Sequence, residues 1–285
     1  MTPNPSDPEV QIISKEFKKL DVDVDYFIPS SMKVMISFQD DFKKKFDELN
    51  PRAALVRGFG AGATQKIFFR LDILRAIEEY DVRLINSRET LEIASDKFLT
   101  SIFLEKHKIP TPKTIICEDP TTALESFEEL GGDCVFKPLF GSKGIGITHL
   151  NERAFAENVL YSLGRLNTIF YLQEFVEHQN RDIRILVLGD RVIAGMYRIG
   201  ETWKTNISAG AKAKPIEITE ELETLSIKAA QVTKTEIAGV DIIESEKGYL
   251  VLEVNSIPGF TALQTVTDIN IAEEMVKYFL EKTII

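Results

Sequence analysis

One stretch near the C-terminus, residues 239–255, constrains the fold more than any other. Two β-rich runs flank the short connection Glu246-Lys247-Gly248. A glycine at the end of such a connection suits the left-handed conformation that a bulged hairpin needs. The stretch is therefore predicted to be a β-hairpin.

The register of this hairpin brings polar side chains together. If Ser245 pairs with Tyr249, Asp241 lies opposite Glu253, and strand alternation places Asn255 on the same face as Glu253. Acids within a hairpin otherwise made of Val, Ile and Leu are costly to bury unless a cation compensates them. Hard oxygen donors suit magnesium or manganese, so these three residues are candidate metal ligands. The alternative, a solvated face without a function, stays open.

Composition restricts the class of partner. The 285 residues favour two or three subdomains, and a net charge of −10 disfavours wrapping around nucleic acid, whereas a small substrate or an acidic protein is easier to accommodate. Cys117 and Cys134 are far apart in sequence, which fits a reducing compartment without disulfides. The N-terminus resembles no signal peptide and no apolar run approaches the length of a membrane span, so we expect a cytoplasmic protein without membrane association. A homo-oligomer stays open.

The first ninety residues are predicted to form a parallel α/β subdomain. Helices at 9–20 and 64–79 alternate with strands at 22–28, 52–59 and 82–86, while 38–46 is helical or loop. Because such a subdomain usually begins with a strand, we expect its first strand to be missing through a misplaced start or truncation.

The rest of the chain is predicted to form two α+β subdomains, so that the blocks are 1–90, 91–178 and 179–285. A helix starts near Ser95 with a core stripe of Phe98, Leu99, Ile102 and Phe103, and the next helix has Asp119 as its N-cap and Gly131 beyond its end. The further elements are strands at 134–138 and 168–176, a hairpin at 183–199, and helices at 219–236 and 269–280.

A glycine-rich loop is a second candidate site. Its backbone N–H groups can approach phosphate oxygens closely, and one lysine adds positive charge. Lys137 precedes the loop within an apolar strand, and Lys97 lies in a helix's first turn, so a buried anion is the simplest partner for both. An ordinary hairpin turn is the alternative. The loop residues are Gly141, Ser142, Lys143, Gly144, Ile145 and Gly146.

Two further polar groups complete the candidates. The end of an apolar strand, Gln173-Glu174-Phe175-Val176, offers backbone and carboxylate groups to a purine or ribose, although a plain strand stays open. A charged group follows, and a cationic anion-binding loop is predicted in its second half. The charged group comprises Asp182, Arg184, Arg191, Arg198 and Lys204, and leads to Asn206. Neither metal-ligand histidine spacing nor a nucleophilic triad is present.

Taken in order, these motifs resemble the ATP-grasp carboxylate–amine ligases, in particular the branch of glutamate ligases for ribosomal protein and archaeal coenzymes. The resemblance runs from about Val56 to Ile285. It is carried by Ser95-Asp-Lys-Phe, Val135-Phe-Lys-Pro, Phe140-Gly-Ser-Lys-Gly-Ile-Gly, Gln173-Glu-Phe-Val, Arg181-Asp-Ile-Arg, Trp203-Lys-Thr-Asn, Ala238-Gly-Val-Asp and Leu252-Glu-Val-Asn-Ser-Ile-Pro-Gly. It implies an ATP-grasp fold preceded by a pre-ATP-grasp α/β subdomain.

The resemblance also implies roles for the candidate residues. Lys97, Lys137 and Arg184 would contact ATP, the 141–146 loop would close over the triphosphate, and Glu174 and Val176 would hold adenine. Asp182 would hold ribose, and Lys204, Asn206 and Arg198 would face the γ-phosphate and the acyl-phosphate. Asp241, Glu253 and Asn255 would bind magnesium or manganese, as two ions. Many relatives have Arg at the position of Lys204 and His-Arg-Gly-Gly where this chain has Ala209-Gly-Ala-Lys212, which puts bidentate phosphate contact there in question.

The implied reaction follows from charge. A carboxylate is a poor electrophile, so ATP phosphorylates it and the amine of L-glutamate then displaces phosphate. The overall likeness favours a pterin coenzyme with a terminal carboxylate as the acceptor. A deazaflavin coenzyme with a polyglutamate tail, a ribosomal protein, and a nucleotide-binding regulator without turnover are the alternatives.

Overall fold

The structure is a computed structural model that describes residues 1–32, 51–60, 62–141 and 144–283. The helical or loop segment expected at 38–46, and Ser142 and Lys143 of the glycine-rich loop, lie outside the described residues.

The described residues form helices and strands in three successive blocks. The helices are α1 (Pro8–Lys19), α2 (Thr64–Glu79), α3 (Arg88–Ser95), α4 (Lys97–Lys106), α5 (Pro120–Glu129), α6 (Arg153–Gly164), α7 (Glu220–Val232), α8 (Thr261–Gln264) and α9 (Ile271–Thr283). The strands are β1 (Ala53–Leu55), β2 (Arg83–Ile85), β3 (Thr114–Cys117), β4 (Cys134–Lys137), β5 (Thr148–Leu150), β6 (Phe170–Glu174), β7 (Arg181–Leu188), β8 (Arg191–Ile199), β9 (Lys212–Pro215), β10 (Ile237–Ser245) and β11 (Gly248–Asn255). None of these helices is long and apolar enough to cross a membrane.

The first block contains a small parallel sheet. Strands β1 and β2 pair in parallel and α2 connects them, as the alternating pattern predicts. Residues 22–28, predicted as a strand, form none. Val22 and Val24 instead pack against the core beneath α1, so their alternation serves packing and not sheet pairing.

The second block is an antiparallel sheet in the order β3-β6-β4-β5, with α5 and α6 packed on it. The capping prediction is confirmed, because the Asp119 carboxylate accepts a hydrogen bond from the Thr122 N–H at 2.8 Å. Phe127 of α5 is 1% exposed within that core, and such burial stabilises a fold by roughly 1.5–3 kcal/mol.

The core stripe predicted for α4 is wrong. The helix buries Thr100 and Leu104, whereas Phe98 and Ile102 are 41% and 45% exposed. The reason is that the Thr100 hydroxyl donates a hydrogen bond of 2.8 Å to the Ile93 carbonyl, so a polar residue on the inner face has a buried partner. The prediction placed the large apolar side chains of α4 on the buried face of the helix, and residue size alone therefore gave the wrong buried face.

The third block is an antiparallel sheet in the order β11-β10-β7-β8-β9. The predicted hairpin of β7 and β8 is confirmed. Helix α7 covers one face of this sheet. Helices α1 and α9 cover the part of the other face that contains Leu186 and Leu188 of β7. Phe17 of α1 meets Phe279 of α9 edge to face, with ring centroids 5.4 Å apart. The N-terminal helix thus packs on the C-terminal block, and the division at residues 90 and 178 stays a prediction.

A buried asparagine joins the first block to the third. The Asn86 side-chain amide donates to the carbonyls of Ile237 at 2.8 Å and Ser256 at 2.6 Å. Its oxygen accepts hydrogen bonds from the N–H groups of Glu236 and Ile237. Every polar atom of this side chain is therefore satisfied at the start of β10 and just after β11.

Candidate active site

The candidate site is the polar half of one face of the C-terminal sheet. Strand alternation sends Ile183 and Ile185 of β7 toward α7, and Asp182 and Arg184 to the opposite face. Leu186 lies on that same opposite face under α1 and α9. One sheet face is thus apolar where helices cover it and polar beyond them.

A β-bulge places the acid pair. Ser245 pairs with Gly248, not with Tyr249, so the predicted closure of the hairpin is shifted by one residue. A register shift next to Asp241 then restores the pairing of Asp241 with Glu253. Without this bulge Leu252 would face Asp241, and Glu253 would take the opposite side. The predicted acid pair is confirmed, but the turn does not create it.

Asp241 is held between two arginines in the structure. Its carboxylate forms an ion pair with Arg184 and accepts a hydrogen bond of 2.9 Å from Arg184 Nη2, while Arg198 Nη2 lies 2.9 Å from Oδ2. Arg198 also binds Asp182 in a bidentate way, with Nε–Oδ1 2.7 Å and Nη2–Oδ2 2.6 Å. The Thr205 hydroxyl donates to the same Asp182 carboxylate at 2.6 Å. In this conformation the carboxylate expected to hold ribose serves an internal ion pair.

Burial and charge move the pKa values of these groups in opposite directions. Burial raises the pKa of Asp241 to about 7, although Arg184 and Arg198 oppose the rise. For Glu253 burial acts in the same sense, but Arg184, a hydrogen bond with Asp241 and Lys97 outweigh it and lower the pKa to about 2. The acid pair therefore favours one carboxylate charge over two in the absence of a further cation.

The donor set fits a hard divalent cation. Glu253, Asp241 and the amide of Asn255 share one face, and the Asn255 Nδ2 donates to Glu253 Oε1 at 3.1 Å. Asp241 Oδ1 is buried against Arg184 Nε, so a metal ion bound to this carboxylate oxygen would take the place of the guanidinium. No cluster of three His, Cys, Asp or Glu side chains suited to a metal occurs in the described part of the chain. The third candidate ligand here, Asn255, is an amide.

Two lysines of the second block, one on helix α4 and one on strand β4, lie near this face. Lys137, at the end of β4, donates a hydrogen bond of 2.6 Å to Gln173 Oε1, and burial lowers its pKa to about 8. Lys97 Nζ lies 3.4 Å from the carbonyl oxygens of Leu139 and Gly141, and burial lowers its pKa too. Lysines that lose solvation in this way bind an anion strongly when one arrives.

The described part of the glycine-rich loop packs closely against Asn206, which lies between strands β8 and β9, and against Pro138. Gly144 has φ +71°, and a Cβ at this position would collide with the side chain of Asn206. Gly146 has φ +79°, and a Cβ there would meet the Pro138 ring at 2.8 Å. These two positions require glycine for both conformation and space. Ile145 between them is 76% exposed.

Two adjoining cavities lie between the antiparallel sheet of the second block and the antiparallel sheet of the third block. A cavity of 430 Å³ is lined among others by Lys97, Arg184, Asn255 and Thr261. A second one of 100 Å³ is lined by Lys137, the strand end 173–176 and Lys204. Arg198, Asn206, Glu253 and Ile147 line both, so the cavities adjoin each other.

The described candidates converge on these cavities with two exceptions. Gly146 lines neither cavity, and Arg191 is exposed at the far end of β8. Glu174 lines the smaller cavity through the strand end, while its carboxylate accepts a hydrogen bond of 2.8 Å from the Lys113 N–H.

Sequence reasoning missed several contributors. Trp203 lines the smaller cavity, with its ring edge toward Phe175 and His149, whose own rings stack at 4.0 Å. Glu9 lines the larger cavity from the first turn of α1. In sequence Glu9 looks like an acid that complements a helix N-terminus, so nothing local distinguishes it.

Comparison with known proteins agrees with this geometry. A family model described as the RimK-like ATP-grasp domain matches residues 94–279. The tetrahydromethanopterin:α-L-glutamate ligase of Methanocaldococcus jannaschii is 38% identical over 96% of this chain and 95% of its own length. An α-aminoadipate–LysW ligase, LysX, of Saccharolobus solfataricus is 38% identical over 72% of this chain and 76% of its own length.

Solved structures share the architecture. The ATP-grasp ligase PsnB, complexed with minimal precursor, Mg and ADP, superposes with a TM-score of 0.76 at 19% identity, covering 98% of this chain and 95% of that one. A RimK domain ATP-grasp protein from Sphaerobacter thermophilus superposes with a TM-score of 0.76 at 18% identity, covering 98% and 97%. These likenesses confirm the predicted α/β class and ATP-grasp fold.

Proposed function

Because this chain belongs to the RimK-like ATP-grasp family and is an ATP-dependent ligase of the ADP-forming kind, we propose that it adds L-glutamate to tetrahydromethanopterin. The observation that carries this proposal is the 38% identity to a tetrahydromethanopterin:α-L-glutamate ligase over nearly the full length of both chains. A second ligase of that name, from Methanococcus maripaludis, is 36% identical over 93% of this chain.

The extent of that identity bears on the acceptor. The family model begins at residue 94, whereas an alignment over 96% of the chain includes most of the preceding block. That block contributes Glu9 to the wall of the larger cavity. Its Asn86 also holds the start of the segment that follows β11, by a hydrogen bond to the Ser256 carbonyl. Likeness there supports a shared acceptor better than likeness within the nucleotide site does.

ATP is assigned to the smaller cavity and its surroundings. The strand end Gln173–Val176 would hold adenine, and Lys137, Lys97 and the glycine-rich loop would meet the phosphates. At 100 Å³ the smaller cavity alone is below the roughly 300–1,000 Å³ of usual ligand sites, so the triphosphate would extend into the adjoining larger cavity, which Lys97 and Gly144 line. Asp182 would meet ribose only if one of its oxygens were released by Arg198 and Thr205.

Asp241, Glu253 and Asn255 would hold magnesium or manganese, and we propose two ions. When bound, the ions neutralise negative charge on the triphosphate. Both Asp241 and Glu253 are then needed as carboxylates, and Arg184, which now pairs with Asp241, would be released toward the larger cavity that it lines.

The reaction has two steps. An acceptor carboxylate oxygen bonds to the γ-phosphorus of ATP while the bond from that phosphorus to the ADP oxygen breaks, which gives an acyl-phosphate. The deprotonated amine of L-glutamate then attacks the acyl carbon, and inorganic phosphate leaves with the bonding electrons. Arg198 and Asn206 line both cavities and Lys204 lines the smaller one, so their positive charges and amide would stabilise the transferred phosphoryl group.

The test uses the purified full chain with ATP, Mg²⁺, L-glutamate and tetrahydromethanopterin. We expect ADP release that depends on both glutamate and acceptor, and a product heavier by one glutamyl group in mass spectrometry. Deazaflavin coenzyme, ribosomal protein and LysW with α-aminoadipate serve as competing substrates. The proposal is contradicted if the chain turns over only a competing substrate and not tetrahydromethanopterin. It is also contradicted if no acceptor leads to ADP release.

We propose from the composition of the chain that the reaction takes place in the cytoplasm.

A further inference from the structure

The segment that follows the last candidate metal ligand forms a wall of the larger cavity. Ile257, Gly259 and Thr261 line the cavity on the side of Asn255, the final residue of β11. The course of this segment therefore determines both the shape of the cavity and the approach to Asn255.

A carboxylate from the other end of the chain holds this segment. Glu9 Oε1 accepts hydrogen bonds from the Phe260 N–H at 2.6 Å, the Thr261 N–H at 2.8 Å and the Thr261 hydroxyl at 2.7 Å. Hydrogen bonds to an ionised acceptor are about twice as strong as neutral ones. Three of them converge here on one oxygen.

Arg57 completes the arrangement. Its Nη2 donates to Glu9 Oε2 at 2.8 Å and to the Pro258 carbonyl at 2.9 Å, and its guanidinium lies 5.8 Å from the centroid of the Phe260 ring. The side chains of Arg57 and Glu9 are only 7% and 16% exposed. A charge pair this far from solvent is costly unless its hydrogen bonds are made, so it differs from a surface ion pair.

The helix itself does not need this carboxylate. Asp7 caps α1 by accepting hydrogen bonds from the N–H groups of Glu9 and Val10. The Glu9 side chain points away from its own helix toward residues 258–261. Its partners all belong to that segment or to Arg57.

We propose that Glu9, held by Arg57, is a positioning residue that sets the 258–261 segment and thereby the acceptor side of the active site. The inference rests on the proposed function in assigning acceptor and glutamate to the larger cavity. No residue of 256–262 lines the smaller cavity, where adenine is assigned, so the effect of the segment should fall on the acceptor and not on adenine binding.

The kinetic test compares Glu9→Gln and Glu9→Ala with Glu16→Gln in the full chain. Glu16 is a matched control, since it also lies on α1, is buried, and pairs with Lys19 away from the cavity. For Glu9→Ala we expect kcat/KM for the acceptor to fall about 10- to 100-fold, because an ångström of misplacement costs that much. The KM for ATP should stay within about twofold, since the 258–261 segment does not line the cavity assigned to adenine. Acetate should restore part of the lost rate by occupying the vacated carboxylate position.

A second measurement does not depend on the acceptor. In Glu9→Ala, hydrogen exchange at the amides of Phe260 and Thr261 should accelerate about tenfold or more, while exchange at 173–176 stays unchanged. Acetate should slow it again. If Glu9→Ala does not fold, Glu9→Gln decides, because its amide oxygen keeps the acceptor geometry without the charge.

Several results would overturn the inference. Unchanged kinetics and unchanged exchange in the Glu9 variants would exclude positioning, and a higher rate would show that the Glu9 carboxylate instead blocks a substrate position. An equal loss in Glu16→Gln would assign the effect to α1 as a whole. If the wild-type chain fails with tetrahydromethanopterin but the exchange result holds, the proposed function fails and the positioning role remains.

Discussion

Replacing Asp182 with asparagine tests whether this carboxylate holds the fold or the nucleotide. The substitution keeps the size of the side chain but removes its charge. In the structure the carboxylate receives two hydrogen bonds from Arg198, at 2.7 and 2.6 Å, and one from Thr205 at 2.6 Å. The Asp182 and Arg198 side chains are 4% and 5% exposed, so solvent cannot replace the lost partner.

The expected cost follows from this burial. Removing one partner of a buried ion pair destabilises a protein by roughly 3–5 kcal/mol. Arg198 keeps a second partner, Asp241, at 2.9 Å. We therefore expect the lower end, a loss of about 3 kcal/mol in the free energy of unfolding.

Urea unfolding followed by circular dichroism measures the loss, and ATP kinetics on the same preparation measure binding. Asp190→Asn is the control, since Asp190 is an exposed carboxylate in the turn between β7 and β8. An unchanged unfolding midpoint in Asp182→Asn together with a higher KM for ATP would refute the reasoning, because the carboxylate would then serve ribose and not the fold.

Three further predictions concern the metal side, the loop and a lysine. Glu253→Gln should abolish turnover in a chain that still folds, and normal turnover would show that the metal assignment is wrong. Gly144→Ala should lower kcat about tenfold, because left-handed backbone costs roughly 1–2 kcal/mol without glycine and the new Cβ meets Asn206. Gly248→Ala, which shares the positive φ but meets nothing, should keep its rate. Burial lowers the pKa of Lys137 from 10.5 to about 8, so the unfolded chain binds more protons between these values. The free energy of unfolding should rise across that pH range and ATP affinity should fall as the charge is lost. Urea unfolding across this pH range measures the first trend, and calorimetric titration with ATP measures the second. A Lys137→Met variant that kept both trends would contradict this.

Local signals sufficed for most elements. The Asp119 cap with Pro120, the 64–79 helix and the β7–β8 hairpin all follow from neighbouring residues, because caps, turns and amphipathic periods are short-range interactions. The same signals failed where a partner distant in sequence decides. Val22 and Val24 alternate like a strand but pack on helices, and Thr100 is buried because Ile93 accepts its hydroxyl.

The family and the fold were determined by the sequence itself, since ordered motifs carry them without knowledge of contacts. Only the tertiary structure decided how Asp241 meets Glu253. The turn pairs Ser245 with Gly248, and the bulge at Leu252 corrects the register by one residue. Likewise, only the fold brings Glu9 to Thr261, a hydrogen bond across 252 residues of sequence. Such contacts depend on the packing of whole blocks, and no local pattern of residues encodes them.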